Sequence, residues 1–270
     1  MNNIHGFPQE LTDLIIDLLV REQPLRSRQR TLACATLVCR LWHPRSSMLL
    51  LKRLEVDILQ LPRFASFVKT SERLGSYVHE LIINGTVDFN VHADDILGSL
   101  CSLRMLELWS NYAHGQDLSE PITKRRYRVE HLKLSSLEPS SIRLLLRPFQ
   151  NIGTLELRSV DDVVVEEEGE GIIRIPHGFP IAIDRLVLND CCTSGPLLAL
   201  GLLVRPVAIF INGFEADDLA LMMEFLEESG KDVEHLALLP LQDDSVTLSS
   251  VTMKSRLFQP QHSCSNETVY

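Results

Sequence analysis

The sequence predicts a mixed α/β chain: a short all-helical N-terminal module, then a solenoid of strand–helix units with a parallel sheet on its concave side. Three observations predict it. Apolar residues near the N-terminus recur at helical spacing. From Leu81 onward, a Leu-x-Leu motif returns about every 26 residues. Between the copies lie stretches long enough for one helix each, and a strand joined to the next through a helix gives a parallel pair.

The helical module occupies residues 1–50. Phe7-Pro8-Gln9-Glu10 opens a helix in which Leu11, Leu14, Ile15 and Leu18 fall at i, i+3, i+4 and i+7, a single stripe that Leu19 extends. Pro8 suits a helix start, where its missing N–H would have no intrahelical partner. A basic stretch, Arg21 to Arg30, leads to a second apolar helix over Leu32–Trp42, which Pro44 ends. Its closing run is Leu37-Val38-Cys39-Arg40-Leu41-Trp42. So short a unit cannot bury both of its faces alone, and leftover apolar surface is what a partner covers.

Residues 51–75 read as a helical linker, and the repeats then fill 76–241. Their strands are expected at Leu81-Ile82-Ile83, Leu106-Glu107-Leu108, Leu132-Lys133-Leu134, Leu155-Glu156-Leu157 and Leu186-Val187-Leu188, and more weakly at Ile209-Phe210-Ile211 and Leu236-Ala237-Leu238. Three residues before each stands Val78, Leu103, Val129, Ile152, Ile183, Pro206 or Val233, apolar throughout. Five residues after each stands Thr86, Asn111, Leu137, Val160, Cys191, Phe214 or Leu241, so a regular ladder of turn asparagines is absent. Helices fit Asp94–Leu100, Ser140–Phe149, Leu197–Val204 and Ala216–Glu228. The longest interval carries Asp161-Asp162 and Glu166-Glu167-Glu168-Gly169-Glu170, which read as a solvated insertion loop or as an acidic contact for a basic partner. Residues 242–270 lose the pattern and read as a disordered or truncated tail.

The first segment resembles an F-box, the helical module that docks a protein onto the Skp-type adaptor of cullin–RING ubiquitin ligases. The resemblance rests on Phe7-Pro8-x-Glu10-Leu11-x-x-x-Ile15 and on Leu37-Val38-Cys39-Arg40-x-Trp42. Phe7 stands where Leu is commoner, and Arg21–Arg30 is longer and more basic than usual. Residues 76–241 resemble irregular leucine-rich repeats, most fully at Leu103-x-x-Leu106-x-Leu108-x-x-Asn111 and Ile183-x-x-Leu186-x-Leu188-x-x-Cys191. Together the two resemblances imply a non-catalytic substrate-recognition adaptor of a Skp–cullin–F-box ubiquitin ligase. Phe7, Pro8, Leu11, Leu14, Ile15, Leu18, Leu37, Val38 and Trp42 would bind the Skp-type adaptor, and through it the cullin scaffold. An unknown protein substrate would be held by the repeats. The alternative is a leucine-rich-repeat interaction scaffold not coupled to ubiquitination, its helices packed on the chain's own repeats or on another partner.

Side chains alternate along a strand, so each Leu-x-Leu unit turns its leucines inward and its flanking residues outward. The outward set predicts a substrate-binding surface of Glu107, Trp109, Lys133, Glu156, Arg158 and Arg185. An exposed Trp among mixed charges is what interface anchors often contain. Trp109 could equally pack under the loop that follows it.

Composition narrows the function classes. A formal net charge of -10 implies no general affinity for nucleic acid or anionic membrane. The basic run Lys124-Arg125-Arg126-Tyr127-Arg128 lacks an aromatic platform and reads as a solvated face. Asp17 breaks the apolar stretch that a signal peptide would need, and no apolar run is long enough to span a membrane. The expected location is cytoplasmic or nuclear. The six cysteines form no CxxC pair and read as buried thiols in a reducing compartment. No phosphate loop, nucleophile elbow or His-Glu-x-x-His pair occurs, so no cofactor, metal or catalytic residue is expected. Thiol chemistry at Cys191-Cys192 would be the enzyme reading.

Overall fold

Three helices, rather than two, build the N-terminal module. Helix α1 is Gln9–Val20, α2 is Leu25–Val38 and α3 is His43–Lys52. The computed structural model describes residues 8–71, 75–85, 89–110, 125–160, 180–189, 196–197, 200–214, 219–240 and 251–254. Pro8 sits just before α1, and its carbonyl accepts from the N–H groups of Leu11 and Thr12, both at 3.1 Å. The basic stretch expected to be a connector is mostly the first half of α2, which begins directly after Pro24. Cys39, with extended backbone, breaks that helix. Pro44 does not end a helix; it stands in the first turn of α3, where the lost N–H costs nothing.

Helix α3 runs into a strand, which corrects the expectation of a helical linker over 51–75. Strand β1 is Arg53–Asp57, followed by a 3-10 turn at Ile58–Gln60 and helix α4 at Leu61–Thr70. Leu54-Glu55-Val56 is another copy of the strand motif, with Leu51 three residues before it. Apolar periodicity in a short run does not by itself tell a strand from a helix turn.

The chain divides into two units, 1–135 and 136–270. In the first, β1, β2 (Glu80–Asn84), β3 (Met105–Trp109) and β4 (Tyr127–Ser135) pair in chain order, all parallel. Leu81, Ile83, Leu106, Leu108, Leu132 and Leu134 are fully buried on one face of this sheet. Helix α4 packs against α5 (Phe89–Ser99), which contributes buried Phe89, Ala93 and Ile96. Burying one such aliphatic side chain contributes about 1.5–3 kcal/mol, so the leucine rows dominate the core.

In the second unit, β5 (Phe149–Arg158), β6 (Ile181–Asn189), β7 (Val204–Phe214) and β8 (His235–Pro240) are likewise parallel in chain order. Helices α6 (Pro139–Leu146) and α7 (Leu219–Ser229) belong to this unit, with Ile142, Leu145, Met222 and Phe225 buried. All seven expected strand motifs thus lie in parallel strands. Part of the expected tail is also ordered as a strand: β9, Val251–Lys254, pairs antiparallel with β8. The tail lacks the Leu-x-Leu signature, but the edge of β8 offers unpaired backbone groups that any extended segment can satisfy. The acidic run 161–170 lies outside the described residues.

The ends of β2, β3, β4 and β5 share a device. Gly85 donates its N–H to the Trp109 carbonyl at 2.7 Å, Ser110 to Ser135 at 3.1 Å, Ser136 to Arg158 at 2.9 Å and Ser159 to Asn189 at 3.2 Å. Gly85, Ser136 and Ser159 have positive φ, as does Gly213 at the corresponding place on β7. The bend falls one residue before the position where regular repeats carry a turn asparagine, and the small residues Gly85, Ser110, Ser136, Ser159 and Gly213 occupy it.

Candidate functional site

The helical module presents its apolar residues on two sides. Ile16, Val20 and Leu32 form its core, and Trp42, Leu49 and Leu50 pack against them. On α1 the buried line is Thr12, Ile16 and Val20. The stripe Leu11, Leu14, Ile15 and Leu18 lies about 150° round the helix from that line. All four are exposed, Leu14 by 53% and Leu18 by 57%. Leu37 and Val38, at the end of α2, are more exposed still, at 85% and 61%.

Specific contacts hold this module in shape. Arg45 on α3 forms a two-pronged pair with Asp17 on α1, Nε to Oδ1 at 2.9 Å and Nη2 to Oδ2 at 2.6 Å. The hydrogen bond to Asp17 holds the Arg45 guanidinium above its ordinary pKa, against the opposing effect of burial. Gln9 donates to the Leu41 carbonyl at 3.2 Å, which brings the start of α1 beside the chain that leaves α2. Of the residues expected to contact an adaptor, Pro8, Leu11, Leu14, Ile15, Leu18, Leu37 and Val38 are therefore at the surface, while Trp42 is half-buried against the module's own core. Phe7 lies outside the described residues.

The second candidate surface is the outward sheet face, taken unit by unit. In the first unit the register aligns Glu55, Ile82, Glu107 and Lys133 in one row and Asp57, Asn84, Trp109 and Ser135 in the next. Trp109 is 40% exposed and donates its indole N–H to Glu107 Oε1 at 2.9 Å, so the two expected contact residues form one unit and Glu107 is buried. Asn84 donates to Glu55 Oε1 at 2.8 Å. Ser135 is buried, and among the described residues its hydroxyl has no hydrogen-bond partner.

In the second unit the rows are Thr154, Arg185, Ala208 and His235; then Glu156, Val187, Phe210 and Ala237; then Arg158, Asn189, Asn212 and Leu239. Glu156 Oε1 accepts from Arg158 Nε at 2.7 Å and from Asn189 at 2.7 Å, and Asn212 donates in turn to Asn189. Arg185 lies over the Phe210 ring, 4.1 Å from its centroid. The sequence placed Glu156, Arg158 and Arg185 together on the outward face; the register sets them beside Phe210 and the two asparagines.

No protein-family model matches this chain, and no curated protein matches it. The surfaces therefore stand on their own chemistry. Cys34, Cys39 and Cys101 are exposed, not buried as expected. On α2 the inward positions are taken by Leu32 and Ala35, leaving Cys34 outside, and Cys39 sits in the extended break after that helix. Cys191 and Cys192 lie outside the described residues. His131 and His235 are exposed strand residues, and Arg125, Arg126 and Arg128 of the basic run are exposed too. Among the described residues, no group of His, Cys, Asp and Glu could hold a metal ion, and no helix is long and apolar enough to cross a membrane.

Proposed function

We propose that this chain is a non-catalytic substrate-recognition adaptor of a Skp–cullin–F-box ubiquitin ligase. The observation that carries the reading is the exposed stripe Leu11, Leu14, Ile15 and Leu18, with Leu37 and Val38 nearby in the same three-helix module. A helix that supplies its own core from one side and leaves four large aliphatic residues in water on the other is built for a partner. The F-box resemblance names that partner as a Skp-type adaptor, with a cullin scaffold behind it. The parallel strands with buried leucines support reading the remainder as leucine-rich repeats that hold a target protein. The contribution to ubiquitin transfer is then proximity: a raised effective concentration of target lysines near the charged enzyme.

The test is co-purification with a Skp-type adaptor. Leu14→Asp with Leu18→Asp, and separately Pro8→Ala with Leu11→Ala, should abolish capture while circular dichroism and the unfolding midpoint stay near those of the unaltered chain. Capture that persists through both double substitutions rejects the docking surface. Failure of the unaltered chain to bind leaves the scaffold reading in its place.

A further inference from the structure

We infer that the stripe on α1 is also a self-association surface, on which a second copy of this chain lays its own α1 antiparallel across a two-fold axis. The contact goes beyond adaptor docking and stands without it. Five large aliphatic residues form the exposed side of α1: Leu11, Leu14, Ile15, Leu18 and Leu19, each between 36% and 57% exposed. Thr12, Ile16 and Val20 are buried on the other side. A helix that is apolar on both sides is normally covered on both.

The charges on α1 indicate what covers the open side. At about 100° per residue, Glu10 and Arg21 lie roughly 70–90° from the centre of the stripe, on the same flank and at its two ends. Arg21 keeps helical backbone angles, φ -58° and ψ -42°, so this projection reaches it. Both side chains are exposed, and among the described residues neither forms an ion pair. Asp17 lies further round and is taken by Arg45. Asp13 lies further still, roughly 150° from the stripe centre. Glu22 follows in the turn, past the end of the helix.

A flank with an anion at one end and a cation at the other is complementary to itself under a two-fold rotation. Antiparallel pairing sets Leu11 against Leu18 and Leu14 against Ile15, and it brings Glu10 of each copy beside Arg21 of the other. Charged residues that flank an apolar seam fix helix orientation in this way. Parallel pairing would turn each charged flank toward the Leu19 flank of the other copy and form no such pair. The stripe is short and each copy carries a formal net charge of -10, so association is weak and depends on concentration. A Skp-type adaptor that takes the same residues excludes the second copy.

Sedimentation velocity of the full chain over about 1–200 μM should show monomer giving way to dimer. Leu14→Asp with Leu18→Asp should leave only monomer. Glu10→Arg and Arg21→Glu should each weaken dimerisation about tenfold or more, because each sets like charges together at both ends of the pair. An equimolar mixture of those two variants should restore it, since opposite charges then meet at both ends. A chain that stays monomeric throughout, a dimer that survives the double aspartate substitution, charge reversals without effect, or a mixture no stronger than its components overturns the inference. Adaptor capture is measured separately. A monomeric chain that captures the adaptor rejects this contact alone, and a charge-sensitive dimer that captures none rejects the ligase reading alone.

Discussion

Asn189 on β6 donates a hydrogen bond from Nδ2 to Oε1 of Glu156 on β5, at 2.7 Å. Asn84 on β2 makes the same bond to Glu55 on β1, at 2.8 Å. In both cases the glutamate is the middle residue of a Leu-Glu-Leu or Leu-Glu-Val strand, and the asparagine lies on the next strand, two residues past the glutamate's register partner. The same local solution therefore recurs in the two units. Its energetic weight differs, because the Glu156 side chain is 13% exposed whereas Glu55 is exposed.

The first prediction follows from that difference. Asn189→Ala should destabilise the chain by about 1–2 kcal/mol, since a hydrogen bond to a charged, mostly buried acceptor is lost. Asn84→Ala should cost under about 0.5 kcal/mol, because water replaces the donor at Glu55. Urea unfolding midpoints compare the two directly. Equal effects would mean that burial does not set the strength of this bond.

Gly85 supports a second prediction. Its φ is +108°, and an added Cβ would stand 2.6 Å from the Ile58 Cβ. Gly85→Ala thus meets two costs, a backbone conformation that L residues rarely adopt and a steric clash. Together they should destabilise by roughly 1–3 kcal/mol. Adding Ile58→Gly removes the clashing Cβ but not the backbone strain, so Gly85→Ala should cost less in that background than in the unaltered chain. No recovery would place the whole cost in the backbone.

The sheets were legible in the sequence because a buried strand leaves a strong mark: Leu132 and Leu134 are both fully buried, and their spacing admits little else. Strand β1 leaves no such mark in the sequence, although Leu54 pairs with Leu81 in the same register that links the later repeats. Its neighbours Leu49, Leu50 and Leu51 blur a period of two into a continuous apolar run. The stripe on α1 was legible as a stripe, but not its direction. Ile16 and Val20 form an equally apolar line, and only packing with Leu32 decides which line is inside. The pairing of Arg185 with Phe210 depends on register between strands separated by the β6–β7 connection, which no local pattern encodes.

Tyr127 supplies the last prediction, a pH dependence. Its hydroxyl donates to Asp94 Oδ1 at 2.9 Å, joining β4 to α5. Burial, then the hydrogen bond to Asp94 and its negative charge, pushes the phenol pKa from 10.0 up to about 12. The folded state therefore keeps this proton after the unfolded chain has lost it. The stabilisation is fully present below about pH 10 and is lost as pH rises toward about 12. Tyr127→Phe removes the titrating group, so its stability should fall less steeply across that window, measured as urea midpoints at successive pH values. An ultraviolet titration of the folded chain should show one of its four tyrosines ionising later than the rest, and Tyr127→Phe should abolish that late step. If the late step survives the substitution, the contact between Tyr127 and Asp94 does not hold the proton.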